Sequence, residues 1–303
     1  MSMKTHNLSA LVLIAVGHIA IANENDADIS SYIPKPPAGA FVVTYFDSAA
    51  ITNLNGVEPA PEATQVDTYL KVPLGVSGDL TQGLWVYQFT FREREFRFDN
   101  TPSSTKQRLY DIAFPLSYIV EHDKNSRWVF NLSPGVKSSL EYFGTDDLSA
   151  NAVAQYTSSN DGHGYNLGVV YTHRFGEGEF LPLVNYQYTY GQTMDLIVGF
   201  PFSRLSYAPD QQQHYFAKLT PEGGNWHVYN EGEKDQTFDF QQKGFRFGLG
   251  AEFNVAGPLW LGAEAGTQFG QELTLDNEQG QSGTLELENS SYLQFTAKLR
   301  FKR

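Results

Sequence analysis

The 303-residue chain contains no cysteine. That excludes disulfides, thiolate zinc sites, thiol catalysis and a lipid anchor carried on a mature-terminal cysteine. Basic residues are scarce, 21 Lys and Arg against 34 Asp and Glu, for a formal charge of −13. No basic stripe offsets that balance, which argues against nucleic acid, whose phosphates need clustered cations. Methionine is rare as well, at 3, whereas Tyr and Phe number 17 and 22. Rings in that proportion favour strands. Beyond the first 22 residues no apolar run approaches the roughly 20 residues of a membrane helix. The 7 histidines lack H-x-x-H or H-E-x-x-H spacing, and His163 with His173 makes only a weak pair, so no metal is expected. No Gly-rich phosphate loop opens a helix, and no cofactor is expected.

What is present begins with an export signal. Lys4 and His6 precede an apolar run from Leu8 to Ile21, and Ala20-Ile21-Ala22 supplies small-x-small cleavage chemistry. Residues 1–22 are therefore expected to be a signal peptide. Residues 23–38 (NENDADISSYIPKPPA) are polar and proline-rich, the composition of an unstructured lead-in, and 39–303 shows no shift marking a second domain.

From residue 39 onward the chain alternates. Phe245, Phe247, Leu249, Ala251 and Phe253 are separated by Arg246, Gly248, Gly250 and Glu252. After the break at Ala256-Gly257-Pro258 the period resumes with Leu259, Leu261, Ala263 and Ala265. Val66 to Val72, Trp85 to Phe91, Tyr110 to Tyr118, Trp128 to Leu132 and Leu293 to Phe301 behave alike. A period of two is that of strands with two different faces. Stripes of about 9 residues suit a tilted crossing of a bilayer. Trp85, Tyr87, Trp128, Tyr110, Tyr118 and Tyr186-Tyr188-Tyr190 gather toward stripe ends, as interfacial girdles do. A soluble β-sandwich would also alternate, but stripe depth and girdles favour lipid.

The expected fold is all-β, a closed antiparallel transmembrane barrel of 12–14 strands. Fourteen results if Glu222-Gly223-Gly224 turns a hairpin; the alternative there is one long bulged strand. Val76–Asp79 and Val255–Pro258 are short turns, whereas "EREFRFDNTPSSTK" and "LDNEQGQSG" have the polarity of longer extracellular loops.

Candidate functional residues follow from parity. Arg246, Glu252, Glu264, Lys298 and Arg300 share the inward side of the last strands. Such charges either line a pore and select solutes or pair across strands to lock a filled interior. In "FREREFRF" (Phe91–Phe98), Arg92, Arg94 and Arg97 are placed to meet lipopolysaccharide phosphates, against the plainer reading of a solvated strand end. Ser206, Asp210 and His214, and likewise Ser159, Asp161 and His163, are polar clusters in turns. Neither matches a catalytic motif, so no enzyme is expected.

The last strand, with Leu293, Phe295, Leu299 and Phe301, resembles the C-terminal assembly signal of bacterial outer-membrane proteins. The usual signal ends on the aromatic, whereas Lys302 and Arg303 follow here. "MDLIVG" with "FPFSRLSYAPD", then "GFRFGLGAEFNVAGPLWLGAEAG", is similar to an uncharacterised family of Gram-negative outer-membrane barrels of unknown function. These resemblances imply outer-membrane location, with lipid, lipopolysaccharide and the barrel-assembly machinery as partners, and no substrate. The leading expectation is a passive, porin-like channel for small solutes; its rivals are a non-conducting barrel with a filled lumen and, behind it, a lipid-modifying enzyme.

Overall fold

The computed structural model describes residues 32–34, 36–53, 61–100, 105–230, 233–277 and 282–300. In chain order the strands are β1 (Gly39–Phe46), β2 (Ala49–Ala50), β3 (Glu62–Asp79), β4 (Gly83–Asp99), β5 (Thr105–Ala113), β6 (Leu116–Asp123), β7 (Ser126–Ser138), β8 (Leu148–Asn160) and β9 (His163–Thr172). They continue with β10 (Glu179–Tyr190), β11 (Met194–Phe200), β12 (Ser203–Tyr207), β13 (Gln213–Asn230), β14 (Glu233–Ala256), β15 (Leu259–Asn277), β16 (Ser282–Leu287) and β17 (Ser290–Leu299). The sheet returns on itself, since β1 pairs with β3 on one side and β17 on the other. β5 and β6 form one wall strand interrupted at Pro115, β16 and β17 form another, and β2 is a small addition beside β3. The result is a closed antiparallel barrel of 14 strands. Closure satisfies the edges that hydrocarbon would leave unpaired.

The two faces meet different surroundings. On β14, Phe247, Leu249 and Phe253 point outward while Arg246 and Glu252 are buried within the wall. β17 repeats this, with Leu293 and Phe295 outside and Gln294 and Thr296 inside. Leu249 is 57% exposed and Phe295 54%, an arrangement that inverts a water-soluble sandwich. Near one margin of the outer band the rings meet: Trp85 and Tyr118 have centroids 4.8 Å apart, and Trp128 and Tyr156 5.2 Å. Leu249→Arg is expected to cost about 2–4 kcal/mol of folding free energy, as a charge near the bilayer midplane does. Urea unfolding in lipid vesicles measures it; an unmoved midpoint would mean this face does not contact hydrocarbon.

At one end the wall strands are joined by links of two to five residues, and Gly39 and Leu299 lie there too. This short-turn end includes the turn expected within Val255–Pro258, while the one expected at Val76–Asp79 lies just beyond that range, at 80–82, because β3 stays paired to Asp79. At the far end β3, β4, β13, β14 and β15 continue for 17 to 24 residues in all, while β12 stops after 5. The protruding strands close into a second, smaller ring. Its seam lies where β13 leans onto β7: His227 bridges Ser138, Ser139 N donates to His227 O, and Tyr229 N donates to Ser139 Oγ. Opposite, β2 and Ile51 connect β3 to β16 through the Ile51–Leu287 bridge and Glu288 N donating to Ala50 O. The β12 ladder ends at Ser203–Leu219, so the upper edge of β13 turns to another strand for its backbone partners.

This geometry corrects two expectations. Glu222-Gly223-Gly224 is not a hairpin turn, because β13 runs through it paired to β14 from Gln213 to Asn230. A Cβ on Gly223 would overlap the carbonyl oxygens of Gln242 and Arg174, and one on Gly224 the Trp226 ring. These glycines mark close approach, not reversal. The fourteenth strand is β12, five residues too short to announce itself by period. Nor is "EREFRFDNTPSSTK" a long loop: β4 and β5 stay paired up to Phe98–Thr105.

The expected signal peptide, residues 1–22, and most of the expected lead-in lie outside the described residues. Within 32–38, Tyr32 N donates to Gln192 O and Ala38 N to Leu299 O. The β10–β11 turn holding Gln192 is half-way around the wall from β1, so Tyr32 and Ala38 lie on opposite sides of the short-turn mouth. Seven residues reach about 25 Å when extended.

Candidate functional site in the barrel lumen

The interior is divided into zones by which side chains point inward. At the far end the smaller ring holds an apolar cluster. Phe96, Leu109, Trp226, Val228, Phe240 and Leu273 are fully buried, with Phe98, Phe238 and Leu285 packed against them. At the short-turn end, the wall of β4, β6 and β7 is filled by Leu84, Val86, Ile119 and Val129.

Between these lies an ion-pair network that spans the barrel. Arg94 is wholly buried and grips Asp67 through Nε and Nη2, each at 3.1 Å. It also donates to Glu222 and to Gln242, and its guanidinium lies 5.1 Å from the Trp226 ring centroid. Arg246 Nη2 reaches Asp67 Oδ2 at 3.0 Å and packs over Phe46 at 4.4 Å. Arg92 completes the group on Glu222 at 3.2 Å.

The remaining zone, along β11–β17 toward the short-turn end, is polar. Glu252 accepts from His214 Nδ1 at 3.1 Å, from Arg300 Nη2 at 2.6 Å and from Lys298. Glu264 accepts from Tyr292 at 2.5 Å and pairs with Lys218 at 2.7 Å. Asp195 accepts from Gln187 at 2.6 Å and faces Arg204 at 3.5 Å. Exposure in these pairs is one-sided. Lys218 is 27% exposed against 1% for Glu264, Arg204 26% against 6% for Asp195, and Lys298 17% against 2% for Glu252. Within each of these pairs the inward cation is the solvent-accessible partner and the carboxylate is covered.

The five inward charges expected from parity therefore fall into two places. Glu252, Glu264, Lys298 and Arg300 share the short-turn zone; Arg246 belongs to the central network. Asp67, Arg94 and Glu222 were not anticipated together, since they come from strands far apart in sequence, although Asp67 carries the inward parity of its segment. Arg92 and Arg94 do not face lipid: both are inward, and their expected role at phosphate is corrected accordingly. Arg97 points outward, where it pairs with Glu95 at 2.8 Å. The reading of "FREREFRF" as a solvated strand end fails on its inward side, where Arg94 and Phe96 are buried.

Leu293, Phe295 and Leu299 lie exposed on the outer face; Phe301 is outside the described residues. Ser206, Asp210 and His214 do not assemble. Asp210 accepts from Gln212 N, Gln213 N and Gln213 Nε2, while His214 turns to Glu252. Asp161 sits in a turn at φ 49° and His163 Nδ1 meets Tyr186 Oη at 2.6 Å. His163 and His173 are at opposite ends of β9, about 30 Å apart at 3.3 Å per residue.

Glu252→Ala is expected to destabilise the barrel by about 3–5 kcal/mol, because it leaves the buried Arg300 without its carboxylate and takes the counter-charge of the half-buried Lys298. The folded fraction after heating in detergent measures it, with Glu272→Ala on the exposed Lys243 pair as the mild comparison.

No protein-family model matches the chain, and no curated protein matches it. Among solved structures, the chain is similar to an outer-membrane channel from Pseudomonas putida F1, at 11% identity over 89% of this chain and 99% of that one, TM-score 0.43. It is also similar to the TodX monoaromatic hydrocarbon channel deltaS2 mutant, 9% identical over 87% and 89%, TM-score 0.37. NanC porin is 8% identical over 86% of this chain and 100% of that chain, TM-score 0.36. Each likeness is one of barrel architecture alone.

Proposed function

We propose that the chain is an outer-membrane barrel that passes small solutes, with its inward charges choosing among them. On this reading the short-turn end faces the periplasm, the smaller ring faces outside, and residues 1–22 direct export. The observation that carries it is the solvent exposure of Arg204, Lys218 and Lys298 on the inner wall. A charged head that points inward and still meets solvent lines an open space, and rings of charge select ions. The route follows β11–β17, since the apolar group of β4, β6 and β7 fills the other side. On the outer face, Arg97, Lys106 and Arg108 gather on Glu95 at 2.6–3.2 Å, above Phe89 and Phe91, where lipopolysaccharide headgroups would meet them.

The buried apolar cluster of Phe96, Trp226 and Phe240 in the smaller ring favours a second reading, a barrel without conduction. Purified protein in planar bilayers separates the two. Stepwise currents above the lipid background are expected; a silent bilayer, with the wild type and with the ring opened as described below, removes the channel.

A further inference from the structure

We infer that the short-turn zone of the lumen is a binding site for a small oxyanion, a solute bearing a carboxylate or phosphate. This rests on the channel reading for its biological use, though not for its chemistry. Three independent strands, β12, β13 and β17, each present a cation to the same polar zone, and each has its counter-charge covered. A solute entering there meets guanidinium and ammonium groups before it meets any of these three carboxylates.

The second observation concerns donors. Arg300 is 8% exposed, lies 5.1 Å from the Trp260 ring centroid, and spends only Nη2 on Glu252. Among the described residues its Nε and Nη1 have no acceptor, nor does Arg204 Nε, and the fully buried Ser206 Oγ has no partner. Buried donors are ordinarily satisfied, and a planar guanidinium with free N–H groups suits oxyanions in particular. Glu252 already takes three donors, so these groups cannot all be served from within the wall. The whole chain is strongly acidic, and a cationic inner zone runs against that composition. It is therefore a local construction.

Trp260 makes binding visible without any current. Inorganic phosphate is titrated into the detergent-solubilised full barrel at constant ionic strength while tryptophan emission is followed. A saturable change is expected, lost in Trp260→Phe and shifted about tenfold or more to higher phosphate in Arg204→Gln and Lys218→Gln, each of which removes a charged hydrogen-bond donor. Both variants leave the Arg300–Trp260 stack in place, and their folding is checked by heat-dependent gel mobility. No saturable change in the wild type, or the same midpoint in both variants, overturns the site. Currents without phosphate binding would leave the channel and remove the site; phosphate binding with silent bilayers would leave the site and remove the channel.

Discussion

Arg94→Ala is expected to lower the unfolding free energy by about 3–5 kcal/mol, the range for removing one partner of a buried charge pair. Arg94 joins β4 to β3 through Asp67, and to β13 and β14 through Glu222 and Gln242. Alanine leaves Asp67 and Glu222 close together, with Arg246 and Arg92 to share between them. It also opens a space beneath Trp226, which loses its stacked guanidinium. Arg94→Lys keeps the charge but not the two-toothed grip on Asp67, and should recover only part of the loss. Arg97→Ala, three residues along and exposed, should fall within about 0.5 kcal/mol of the wild type. Urea unfolding in vesicles reads all three; equal midpoints for Arg94→Ala and Arg97→Ala would mean the central network does not hold the strands together.

The second large effect concerns the apolar cluster of the smaller ring. Replacing Asn225–Gln241 by an Asn-Gly turn joins Gly224 to Gln242, which are already paired neighbours, through a connection that two-stranded ladders favour. The change deletes Trp226, Val228 and Phe240, half of the buried apolar group, and the His227 seam onto β7. The 14-strand wall below keeps every ladder it had, and Gln242 stays available to Arg94. Conductance is expected to rise several-fold above wild type, and a large polar solute excluded by the intact protein should enter liposomes. A folded variant with unchanged conductance would show that the ring does not obstruct the route.

Much of the architecture could be read in advance. The alternation in Phe245–Phe253 placed Leu249 outside and Arg246 and Glu252 inside, because a strand gives its side chains no other choice. Strand number came out at fourteen, but by the wrong route. Gly223-Gly224 has the composition of a turn and serves as a place where backbone and ring press close, while Ser203–Tyr207 is a strand too short to show a period. Local composition cannot separate a glycine that bends from one that makes room, since the crowding atoms of Gln242 and Arg174 are distant in sequence.

The candidate site was legible to the level of parity and no further. Glu252, Glu264, Lys298 and Arg300 were known to face inward; that each carboxylate is covered and each neighbouring lysine open was not. His214 looked like part of a turn cluster with Asp210, and its partner is Glu252, 38 residues on.

The order of residues by itself determined which face of each strand meets oil and which meets water, because the period of two is a property of the backbone and needs no neighbours. Only the tertiary structure decided which inward charges cancel and where apolar side chains fill the interior. Both depend on strand heights and on contacts across the barrel: β12 ends early, β13 crosses to β7, and Arg94 meets Glu222 from the far wall. Such contacts arise on closure, when strands remote in the chain come within hydrogen-bonding distance.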